Sequence, residues 1–199
     1  MSPGSRIGGF GTYGVGSSRH TRNSQTSPDI FGSGNQIAFG ILTDAVYVNG
    51  SDLQLTTTWA VGGGFEYFWT RNFSSTIYGG YTGTTYNDTV NNNRWFCGNG
   101  ATNPFGSAIA ANTSTIRSSG DCNMNYNFWQ LGTHHDWFPV PGLRFAVDVL
   151  YTAVDTALHG QVVTLGKALG ARPTGVYTVK DLGILSVAVR AQRSWGAGD

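Results

Sequence analysis

Apolar and polar positions alternate along most of this chain. In residues 143–152, Leu143, Phe145, Val147, Val149 and Tyr151 fall on one side, and Arg144, Asp148 and Thr152 on the other. Successive strand side chains point to opposite faces, so a period of two predicts a strand. A helix would bring Arg144 and Asp148 onto one turn but scatter Leu143, Phe145 and Val149, and the valine-rich, aromatic content also suits a strand. The same split recurs in 53–70, where Leu55, Thr57, Trp59, Val61, Phe65, Tyr67 and Trp69 oppose Gln54, Thr56, Thr58, Gly62, Gly64 and Glu66. In 129–137, Trp129, Leu131, Thr133, His135 and Trp137 oppose Gln130, Gly132, His134 and Asp136; in 184–195, Leu185, Val187, Val189, Ala191 and Trp195 oppose Ser186, Arg190, Gln192 and Ser194. Further strands are expected at 36–48 and 73–86, making six, with a short one around 9–16 inside a Gly/Ser/Asn-rich segment, 1–35.

The connections alternate in length. Residues 70–72 and 138–142, the latter with Pro139 and Pro141, read as tight turns, whereas 87–124 and 155–180 read as long polar loops. Short turns on one side and long loops on the other are the habit of bacterial outer-membrane barrels, whose short turns face the periplasm. Trp129 and Trp137 lie eight residues apart on one face. At about 3.3 Å per residue and a tilt near 40° that is roughly 20 Å of height, close to the apolar band between two aromatic girdles.

Composition sharpens this picture. The chain has 199 residues, 40% hydrophobic and only 12% charged, with 29 glycines, 9 Tyr, 11 Phe and 6 Trp. A soluble domain carries about 25% charged residues; strands with one lipid face need fewer. A net charge of +1 gives no basic stripe for a nucleic acid. No apolar run reaches the roughly 18 residues of a helical span, and 1–6 lacks the pattern of a secretory signal. Cys97 and Cys122, with 24 residues between them in one polar stretch, are expected to pair as a disulfide in an exported protein.

At this level of detail the chain resembles the alphaproteobacterial general porins. The resemblance is carried by FGILTDAVY (39–47), LQLTTTWAVGGGFEYFWT (53–70), STIYGGY (75–81), FWQLGTHHDWFPVPGL (128–143), FAVDVLYTAVDTA (145–157) and VRAQRSW (189–195), which span about four fifths of the chain in family order. It implies an all-β fold: the C-terminal portion, about six antiparallel strands, of a sixteen-stranded transmembrane β-barrel that trimerises and passes small hydrophilic solutes through the outer membrane. The signal peptide, the first part of the barrel and the family's inward-folded loop have no counterpart here. The family typically ends on the last strand's aromatic residue; here the tail 196–199 follows Trp195. His134 stands at an inward position that is often basic in the family.

Competing chemistries are weak. Gly9, Gly11 and Gly14 fit a G-x-G-x-x-G spacing, but the following SSRHTRNS has no helical periodicity, so a dinucleotide site is not expected. His134 and His135 face opposite ways on a strand and cannot share a metal ion. No spacing pairs a nucleophile with a base, so no enzyme, catalytic residue or cofactor is expected. Glu66, His134, Arg144, Asp148 and Arg190 sit on polar faces as candidate pore-lining residues. Trp59, Trp69, Trp129, Trp137, Tyr151 and Trp195 are the candidate aromatic girdle. The expected function is a passive diffusion channel with lipid and small polar solutes as its partners. The alternative is a plugged surface barrel or adhesin-like binding protein.

Overall fold

The computed structural model describes residues 4–21, 29–96, 114–115, 121–165 and 173–195. In chain order the elements are β1 (Arg6–Val15), α1 (Ser18–Thr21), β2 (Asp29–Ser33), β3 (Gln36–Gly40), β4 (Ala45–Val46), β5 (Gln54–Leu55), β6 (Thr57–Thr70), β7 (Phe73–Thr85), α2 (Asp88–Asn92), β8 (Ser114–Thr115), β9 (Tyr126–Val140), β10 (Leu143–Asp155), β11 (Val162–Leu165), β12 (Gly175–Val179) and β13 (Leu182–Arg193). The described chain is mostly strand and the fold is all-β.

The long strands form one antiparallel six-stranded sheet in the order β1-β6-β7-β9-β10-β13. β1 and β13 are its two edges, so among the described residues the sheet is open. Its tight hairpins are β6–β7, where Thr70 faces Phe73, and β9–β10, where Val140 faces Leu143. The second turn is Pro141–Gly142, shorter than the expected 138–142, because β9 continues through Pro139. Gly142 has φ +74°, and a proline followed by a residue with positive φ is the sequence of a type II turn.

Six strands were expected and six are present, but one is exchanged. Residues 36–48 do not form a strand of this sheet. They divide into β3 and β4, and Ile37, Ala38, Phe39 and Gly40 are buried consecutively instead of alternating. A strand covered on both sides has no wet face to alternate with. The sixth place is taken by β1, ten residues of the glycine-rich N-terminal segment, starting earlier than the 9–16 expected and paired along its whole length with β6.

The described parts of the long connections also form regular elements instead of polar loops. Together with β2 and β3 they build a five-stranded mixed sheet, β2-β3-β12-β11-β8, in which β12 and β3 run parallel. Ile37, Phe39, Val46, Tyr86, Val90, Phe96, Met124, Tyr126, Leu158, Tyr177 and Val179 pack into a buried core there. This core sits at the end of the large sheet opposite its tight turns, since Tyr86, Tyr126 and Ala157 adjoin the far ends of β7, β9 and β10. Asn87 caps α2 by accepting from the Val90 N–H, which holds Val90 over that core. Cys122 is buried and disulfide-bonded; Cys97 lies outside the described residues, as does the tail 196–199.

Candidate functional site

The large sheet sorts its side chains in the opposite way to a soluble protein. One face holds Ile7, Val61, Ile77, Leu131, Val147, Val187 and Val189, all exposed, with Leu131 52% and Val189 77% accessible. The other face carries most of the small and polar residues, and Thr58, Ala60, Ser74, Asp136, Ala146 and Thr152 are buried there; Phe10, Phe128, Leu150, Val154 and Ile184 share that face. The registers explain the sorting: directly paired residues share a face, so Val61–Tyr81, Ile77–Thr133, His135–Val147 and Val147–Val189 carry the apolar side from strand to strand. Isolated exposed apolar residues are ordinary; a contiguous face of them marks a surface that meets something other than water.

Aromatic residues collect at both ends of this apolar face. Near the tight turns Tyr67 meets Trp69 edge-on at 4.8 Å, and Trp137 stacks on Phe145 at 5.7 Å. Toward the other end Trp59 stacks on Tyr81 at 5.2 Å, and Trp129 tilts against Tyr151 at 5.3 Å. Trp195 lies just beyond β13, 84% exposed.

The polar face carries a connected set of ionisable side chains. Arg144 Nε donates to Asp136 Oδ1 at 2.6 Å and its Nη2 to Asp136 Oδ2 at 2.9 Å, a bidentate pair. His134 lies between two carboxylates, with Nδ1 3.0 Å from Asp148 Oδ2 and Nε2 3.1 Å from Asp136 Oδ2. The Tyr78 hydroxyl donates to Asp148 Oδ1 at 2.8 Å. That reach depends on Gly132: a Cβ there would fall 2.6 Å from Tyr78 Cζ, so the phenol can cross β9 only over a glycine. Arg6 approaches Glu66 at 3.9 Å further along the same face.

Three of the five expected polar-face residues, His134, Arg144 and Asp148, are therefore brought together, joined by Asp136 and Tyr78. Glu66 pairs separately with Arg6. Arg190 faces the same way beside Ala146 but is exposed and has no ion pair among the described residues. Asp136 was legible from its parity with His134. Tyr78 was not, because its role comes from a strand two places away. Among the described residues no cluster of His, Cys, Asp and Glu could hold a metal ion, and the Arg144 guanidinium fills the space beside His134 and Asp136. The set can order water and present fixed charge of both signs; it has no nucleophile paired with a base. Nothing matches the chain in a scan against protein-family models, a search of the curated proteins or a search of the solved structures.

Proposed function

We propose that this chain contributes C-terminal strands of an outer-membrane β-barrel of the general porin kind, forming a passive, water-filled channel for small hydrophilic solutes and ions. The observation that carries this reading is the inverted sheet, apolar and exposed on one face, charged and hydrogen-bonded on the other. In lipid such a face is solvated, whereas in water it would be left bare. The two aromatic groupings then serve as girdles at the two membrane interfaces, and the core built by the long connections stands on the outer side. Glu66, His134, Arg144, Asp148 and Arg190 line the lumen, where solutes are selected by width and weakly by charge. No covalent step or cofactor enters this mechanism. Lipid and the passing solutes are the partners, and trimerisation belongs to the same family reading.

The six strands of the large sheet among the described residues are fewer than the eight of the smallest single-chain bacterial barrels, so closure takes further strands. The test is to refold the chain in detergent, separate closed assemblies from monomer, and fuse each with planar bilayers. Assemblies should give steps that scale with salt concentration. Silence from heat-modifiable, membrane-embedded assemblies would overturn the channel and leave a plugged surface barrel.

A further inference from the structure

On the apolar face, next to the aromatic residues of the tight-turn end, three polar groups form a connected chain of hydrogen bonds. Trp69 Nε1 lies 2.9 Å from Ser75 Oγ, and Ser75 Oγ lies 2.8 Å from His135 Nδ1. An indole nitrogen only donates, so Ser75 accepts from Trp69. The serine has one O–H to give, and His135 Nδ1 is the acceptor in reach among the described residues. With that O–H given to Nδ1, the nitrogen carries no proton and the imidazole proton resides on Nε2. Phe73 lies parallel to the ring, with an interplanar angle of 8°, and holds its plane. No protein group among the described residues bonds Nε2.

We propose that His135 docks a phospholipid ester carbonyl, which accepts a hydrogen bond from the Nε2–H that Ser75 and Trp69 orient. The inference rests on the reading of this face as lipid-facing. Depth selects the acceptor. His135 lies two residues from Trp137 toward the middle of the sheet, about 7 Å along the strand and roughly 5 Å in height at a tilt near 40°. A tryptophan girdle occupies the headgroup level, so a donor one step deeper meets the glycerol esters, where water is scarce and an unpaired N–H is costly. The relay thereby gives the sheet a fixed vertical register in the leaflet on its tight-turn side.

The experiment uses the full chain reconstituted in two vesicle types with the same phosphocholine headgroup, one diester and one diether, with histidine labelled with ¹⁵N. Quenching of Trp69 and Trp137 fluorescence by lipids brominated on their chains is measured first; no quenching overturns the lipid reading and the proposal with it. With quenching present, His135 should show the Nε2–H form in diester lipid, and its Nε2–H resonance should move when ether replaces ester. Ser75→Ala should abolish the tautomer preference while leaving the quenching intact. An Nδ1–H form, or an Nε2–H resonance identical in ester and ether lipid, would overturn the proposal and leave the lipid-facing reading standing.

Discussion

The hydroxyl of Tyr78 on β7 reaches the carboxylate of Asp148 on β10 at 2.8 Å, passing over β9 at Gly132. One hydrogen bond thus ties strands that are not neighbours, and it does so on the polar face. Gly132→Ala should push the ring aside and destabilise the folded sheet by about 1.5–3 kcal/mol, the usual worth of a hydrogen bond to a charged group. Tyr78→Phe should cost a similar amount. The double variant should cost little more than either alone, because both remove the same contact. Urea unfolding in detergent micelles, followed by tryptophan fluorescence, checks all three.

Neighbouring residues 147 and 148 should respond oppositely. Val147 is on the exposed apolar face and Asp148 on the polar one. Val147→Arg puts a charge into lipid at about 2–4 kcal/mol near the midplane and should prevent stable membrane assembly. Asp148→Asn should still assemble. If the two behave alike in heat-modifiability gels, the assignment of faces is wrong.

Arg144 neutralises part of a wall that also holds Asp136 and Asp148. In a conducting assembly Arg144→Gln should move selectivity toward cations, read as a shift of the zero-current potential across a potassium chloride gradient. An unchanged potential would place this cluster away from the ion path.

At the long-connection end, Ser18 holds Asp44 by two hydrogen bonds, from its hydroxyl at 2.5 Å and its backbone N–H at 2.7 Å. The hydroxyl bond and then the N–H bond hold the carboxyl below its ordinary value of 3.8. A depressed folded-state value means that the stabilisation is fully present above the unfolded value and is lost as pH falls through the folded one. The Ser18 amide should therefore stay protected from hydrogen exchange at pH 7 and pH 5, after correction for intrinsic rates, and lose protection below about pH 3.8. Asp44→Asn should remove this pH dependence.

A monomer of the 199-residue chain should give no porin-sized conductance, because the edges β1 and β13 leave unpaired backbone groups that lipid cannot satisfy. Steady porin-like steps from a species shown to be monomeric would contradict the strand count.

Five of the six long strands were readable from the sequence, and in four of them alternation assigned the two faces. Parity along a strand is a local property, so Leu143, Phe145, Val147 and Val149 declare a common side without knowledge of their neighbours. Both tight turns were readable too, and in the second the reason is local: Pro141 fixes its own φ and Gly142 accepts the positive φ that the turn needs. Tertiary structure decided what parity cannot encode. It assigned 36–48 to the second core, because burial on both sides is a property of what packs there, and it gave the glycine-rich β1 the edge beside β6. It also set the register that aligns Asp148 with His134, and His134 with Thr76, which places the Tyr78 phenol across Gly132. Pairing between strands far apart in the chain depends on relative displacement along the sheet, and a slip of one residue would turn every side chain to the other face.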